Sequence, residues 1–155
     1  MAGLLAACFL ALPAWAAEGI EEKLGLLGMG RQALEASLDG AERARARRLP
    51  SGAVAQLRQA DVAFGPGRFE QTFFFAQQRL VQIELVSLPE TAGANLFNEL
   101  VMAMRQSLGP ELAAGDSASW VHQDADVLLF RYGDPTHPAV RIVVRQRQLV
   151  DAGEL

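Results

Sequence analysis

Apolar positions along this chain follow a helical period first, a two-residue period in the middle, and then each of these once more. Between Ile20 and Leu38, residues Leu24, Leu27, Leu34 and Leu38 recur at helix-compatible spacing, interrupted by Gly25, Gly28 and Gly30. The pattern predicts two short helices, the second over about 31–38 and stopped by Asp39-Gly40. Residues 41–60 are rich in Ala, Arg and Gln, and Pro50-Ser51-Gly52 reads as a break that caps a short helix over 53–60. Past a turn at Gly65-Pro66-Gly67 the period becomes two. Phe69–Ala76 and Leu80–Ser87 are aromatic and β-branched runs separated by Gln77-Gln78-Arg79, which predicts a β-hairpin. In its second strand Val81, Ile83 and Leu85 alternate with Gln82 and Glu84, giving one buried and one wet face. Phe73, Phe74 and Phe75 put rings on both faces of the first strand, so part of its outer side must also be covered.

The strongest helical stripe follows: Phe97, Leu100, Val101, Met104 and Leu108 predict an amphipathic helix over Thr91–Leu108, laid across the sheet. Gly109-Pro110 and a polar loop lead to three further strands, Ser119–Gln123, Val127–Tyr132 and Ala139–Gln146. This order predicts an α+β fold of two layers, helices on a largely antiparallel sheet. Helix-then-strands occurs twice, as in a degenerate tandem of two units of about 70 residues.

Composition adds an address. The first 17 residues carry no charge, and the apolar core Leu4–Leu12, Pro13 and Ala14-Trp15-Ala16 read as a secretory signal over 1–16 cleaved before Ala17. Residues 17–155 then form one domain in the periplasm or outside the cell. The alternative is a lipid anchor through Cys8, since Leu5-Ala6-Ala7-Cys8 has the form of a lipobox. Cys8 is the single cysteine, which excludes an internal disulfide, and a formal net charge of −4 argues against nucleic acid as partner.

Leu27-Gly28-Met29, followed by Leu34, Leu38 and Gly40, resembles the helix opening of the small outer-membrane-assembly lipoproteins and of periplasmic domains built like the β-lactamase inhibitor protein. Gly30 stands where those families usually have a capping Ser or Thr. The resemblance implies helices set on an antiparallel sheet and action through protein–protein contact in the cell envelope.

Candidate chemistry is sparse. Gly28-x-Gly30-x-x-Ala33 matches a dinucleotide fingerprint, but that site needs a strand before Gly28 and an acidic residue about 20 positions on, where Arg47 and Arg48 stand. A chance glycine-punctuated helix start is the preferred reading, with an NAD(P)-dependent enzyme as its rival. His122, Asp124 and Asp126 are read as a polar turn whose carboxylates bond nearby amides, in preference to a metal site. His137 is read as a loop residue, and Trp120, Phe130 and Tyr132 as core or half-buried strand positions. No serine lies in a nucleophile elbow. No catalytic, metal or cofactor residue is assigned.

Arg43, Arg45, Arg47 and Arg48 form the most unusual surface feature, a basic cluster in an acidic protein. They are the candidate interaction residues, able to attract an anionic surface or an acidic protein patch; the blander alternative is a solvated face paired with Glu35, Asp39 and Glu42. The functional expectation is a non-enzymatic domain that binds an envelope protein through the sheet face or this cluster. The alternative is a ligand- or lipid-binding domain with a pocket between the 91–108 helix and the sheet.

Overall fold

A computed structural model describes residues 15–147, and side chains from Gly19 onward. Most of the expected leader therefore lies outside the described residues. The first helix, α1 (Trp15–Leu26), runs across the expected cleavage point, and α2 (Arg31–Ser37) follows after a turn. Next come β1 (Glu42–Arg43), β2 (Val54–Phe64), β3 (Gly67–Ala76) and β4 (Arg79–Ser87). Helix α3 (Leu96–Leu108) then precedes β5 (Leu112–Ala114), β6 (Ser117–His122), β7 (Ala125–Asp134) and β8 (His137–Gln146). Among the described residues no helix is long and apolar enough to cross a membrane.

All eight strands join one antiparallel sheet in the order β1-β2-β3-β4-β8-β7-β6-β5. Each run of four strands follows its own helical segment, and the second run is laid down in reverse order against the first. The two meet where β4 pairs with β8, Ile83 opposite Val144 and Leu85 opposite Ile142. The fold is thus α+β, three helices on a fully antiparallel sheet.

The helices cover one face only. Leu96, Phe97, Leu100 and Met104 of α3 enter the same core as Ile20 of α1, Leu34 of α2 and the inward residues of β3, β4, β7 and β8. Phe73, Ile83, Leu85, Val127, Leu129 and Val144 are fully buried there. Burying side chains of this size stabilises by about 1.5–3 kcal/mol each, which offsets the ordering of a chain with short helices and few strong helix caps. Neither α2 nor α3 has a side-chain cap hydrogen bond, so packing rather than capping fixes their ends.

Two expectations are overturned. The helix placed over 53–60 is the first half of β2, where Ala55 pairs with Phe74 and Leu57 with Phe73. Its Ala, Gln and Leu favour a helix in isolation, but two phenylalanines beside the segment reward an extended backbone, and tertiary pairing prevails. The helix placed over 91–108 begins only at Leu96, because 91–95 form turns anchored by Thr91, whose hydroxyl donates to backbone carbonyls and accepts from Arg68 N–H. The polar loop after Gly109-Pro110 also contains the short edge strand β5, all three residues exposed.

The turns follow local chemistry. Gln77 and Gln78 both have positive φ, 50° and 64°, the two-residue loop whose twist suits a hairpin. At Gly133 φ is +85°, and a Cβ there would stand 2.2 Å from the His137 carbonyl oxygen, so only glycine fits beside the β7–β8 turn. Asp134 closes that turn by accepting the backbone N–H groups of Thr136 and His137, each at 2.8 Å.

The end of α3 is tied down in a second way. Gly109, at φ +85°, donates its N–H to Arg105 O and accepts Trp120 Nε1–H at 3.0 Å. Arg105 grips Glu111 with two nitrogens, and these hydrogen bonds, foremost among several causes, pull the Glu111 carboxyl from 4.5 down to about 2. A carboxyl whose folded value is depressed adds stability that is complete above its unfolded value and lost as pH falls through its folded one. Chemical melts at a series of pH values should therefore show the intact protein losing stability between about pH 4.5 and 2 more steeply than Glu111→Gln does. Parallel curves would show that the pair contributes nothing.

Candidate functional site

The face of the sheet opposite the helices is open, and its centre is occupied by a buried carboxylate. Glu84 on β4 alternates outward between Ile83 and Leu85, as its sequence position implies, yet it is only 1% exposed. The expected wet side is dry at this point because two arginines close over it. Arg47 bonds Oε2 and Arg141 of β8 bonds Oε1. Arg47 reaches Glu84 across the face of Phe74, its guanidinium carbon 4.8 Å from the ring centroid. The cover that Phe74 requires is thereby supplied by Arg47, together with Ala44 and Leu49 of the same segment.

That segment, 43–49, contains the candidate interaction residues and is an irregular edge of the sheet. Beyond β1, Ala44 N–H donates to Gln56 O, Ala55 N–H donates to Arg47 O, and Leu49 N–H donates to Ala53 O. The four arginines consequently do not act alike. Arg47 is committed to Glu84, and Arg48 donates to the carbonyl of Gly52 at 3.2 Å. Arg43 and Arg45 are exposed and make no side-chain hydrogen bond or ion pair among the described residues. None of the four pairs with Glu35, Asp39 or Glu42; Arg31 takes Glu35, and Arg58 takes Glu42.

On either side of the Arg47–Glu84–Arg141 bridge the open face is concave. One hollow, about 1210 Å³, is bordered by the 42–47 edge segment, from which Arg47 reaches in while Arg43, paired opposite the core residue Leu57, alternates away, and by Tyr132 and His137 of the β7–β8 hairpin. The other, about 690 Å³, has an apolar floor of Val81, Leu128, Phe130 and Val143, rimmed by Arg145 and Arg147. Tyr132 is 43% exposed; partial burial, with Glu84 assisting and Arg141 opposing, pushes its phenol pKa up.

The remaining candidates are placed as follows. Gly28 follows a helix where the dinucleotide site needs a strand; Gly28 N–H donates to Leu80 O, and Gly30 bridges Arg79 in antiparallel fashion. The string at Gly28, Gly30 and Ala33 is a helix-to-helix turn against the edge of a hairpin, and the cofactor geometry is not formed. His122 ends β6, Asp124 lies in the turn with Gln123, and Asp126 on β7 bonds Arg147 and faces Arg145. Asp126 therefore holds arginine side chains, where nearby amides were expected. The space between α3 and the sheet, expected as a pocket in the ligand-binding alternative, is filled by Phe97, Leu100 and Met104 against Val127 and Leu129. Trp120 is buried in that core.

Comparison with protein-family models, with curated proteins and with solved structures returned no match to this chain. Its class is defined by architecture alone: an α+β domain with three helices on one face of an eight-stranded antiparallel sheet and an open, concave face opposite.

A buried carboxylate held by two arginines gains little over a well-packed apolar side chain, but removing one partner is expensive. Glu84→Ala should cost about 2–4 kcal/mol in a urea melt, since it leaves two guanidiniums over a cavity. Arg47→Ala should cost less, about 1–2 kcal/mol, because Arg47 is half exposed and Arg141 still holds the carboxylate. Equal costs, or a neutral Glu84→Ala, would contradict this picture of the bridge.

Proposed function

We propose that this chain is a non-enzymatic, exported domain of the cell envelope that docks another protein on the open face of its sheet. The observation that carries the reading is the open hollow of about 1210 Å³ that holds Arg47, Glu84, Tyr132 and His137, bordered by the edge segment on which Arg43 and Arg45 are unpaired among the described residues. Arg47 ties the arginine-rich segment to this sheet face, so the two alternatives in the sequence meet along one edge of it. Arginine and tyrosine side chains on one concave surface are the residue types from which interface hot spots are made. Export is supported by the charge-free leader.

The test is crosslinking of the protein in intact cells, native against Arg43→Ser/Arg45→Ser. These two are the right pair because changing Arg47 would also expose buried Glu84 and confound folding with binding. An acidic-face control, Glu21→Ser/Glu35→Ser, changes two exposed residues of the helical layer. The proposal expects a specific envelope adduct that the arginine variant loses and the control keeps. An identical adduct pattern from all three proteins would refute it.

A further inference from the structure

The two edges of the sheet are finished differently, and from that difference we infer that this domain self-associates, two copies pairing antiparallel through β5 about a two-fold axis at Ala113. The β1 edge is guarded. Ala44 N–H donates to Gln56 O and Ala55 N–H donates to Arg47 O, so Arg45 and Ala46 are two extra residues with no counterpart on β2. This bulge breaks the ladder where the exposed Arg43, Arg45, Arg47 and Arg48 stand, and Pro50 follows them. Bulges, charges and proline are the devices that keep an edge from pairing with another chain. Strand β5 has none of them. Leu112, Ala113 and Ala114 pair in unbroken register with Ser119, Ala118 and Ser117 on one side, and nothing among the described residues pairs with them on the other. All three are exposed and uncharged, and Leu112, at 74%, is the most exposed large hydrophobic side chain among the described residues.

Symmetry selects a second copy as the occupant. Pairing of β5 with β1 of another copy would repeat without closing and build a fibre, and the bulge and arginines of β1 oppose it. Pairing of β5 with β5 closes at two copies. With the axis at Ala113, that residue faces its own counterpart and Leu112 faces Ala114 of the second copy. Ala114 is itself paired with Ser117, so the large apolar side chain of each copy meets two small ones across the junction. Glu111 falls opposite Gly115 and Pro110 opposite Asp116, so no like charges meet there, although each copy has a formal net charge of −4. Whichever of the alternating backbone groups of β5 point outward, the two-fold matches each N–H with a carbonyl. The axis is perpendicular to the sheet, so both open faces lie on the same side of the joined sheet. Three residues from each copy make an interface below the roughly 1,200 Å² of stable complexes, so the dimer is reversible, with a dissociation constant on the order of 100 μM.

Sedimentation velocity of the full chain over about 5–500 μM tests this. The expected result is a monomer that gives way to a dimer and to nothing larger as concentration rises. Ala113→Lys and Ala113→Glu each set like charges face to face on the axis and should raise the dissociation constant about fivefold or more. An equimolar mixture of the two variants should recover the dimer, because opposite charges then meet at the same point, and an unfolded variant could not do this. A monomer at every concentration overturns the proposal. So does association that neither charged variant weakens, or a mixture that fails to recover. Growth beyond a dimer also overturns it, because a guarded β1 edge admits no further copy.

Discussion

A single eight-stranded sheet has two faces, and three short helices suffice to bury only one. Everything else about this domain follows from how the second face is managed. On the helical side Phe73, Leu85, Val127 and Val144 meet Leu100 and Met104, and the polar Gln71, fully buried opposite Leu85, is held by donating to Gln59. On the open side the sequence has Phe74, Val143 and Glu84 pointing away from the core, a mixture that neither water nor oil accommodates well. Arg47 resolves most of this at once. Its stem and guanidinium cover Phe74, and its charge satisfies half of Glu84, while Arg141 satisfies the other half.

That arrangement links sequence to function through the edge of the sheet. The segment 43–49 has too few regular pairs to be held by its ladder alone, and it is fastened by Arg47 and by Ala44 and Leu49 packing on Phe74 and its neighbours. Fastened there, it borders the open face and leaves Arg43 and Arg45 exposed without an internal partner among the described residues. Two arginines of the cluster thus belong to the architecture, and two make no internal pair among the described residues.

Much of the fold was legible because its signals are local. Alternation at Ile83–Leu85 and 140–145, the helical stripe at Phe97–Met104, and turn residues at Gly65-Pro66 and Gly133 each report their own backbone, whereas Val81, expected on the face of Ile83 and Leu85, lies on the open face because the pairing of β3 and β4 shifts by one residue there. The three adjacent phenylalanines also correctly implied cover on the outer face, although not what would supply it. The strand at Val54–Phe64 was misread because its Ala, Gln and Arg carry no β preference; it is extended by pairing with β3, which composition alone does not display. Glu84 was read as a wet-face residue because alternation reveals which side a residue faces but not what lies over that side. Its partners are 37 and 57 residues away in the chain, and no spacing rule joins them. The arginine cluster was visible as composition, and only its division into structural and unpaired members required coordinates.

The central claim is that the open sheet face, and not the helical layer, is where this domain meets its partner. Two oxidisable side chains lie on opposite surfaces and are both accessible in the free protein: Tyr132 on the open face, 43% exposed, and Met102 on α3, 62% exposed. Hydroxyl-radical footprinting of the purified domain and of the same domain inside intact cells compares them directly. The account predicts that Tyr132 becomes protected in the cell while oxidation of Met102 is unchanged. Protection of Met102 with Tyr132 still reactive would place the partner on the helices and contradict it.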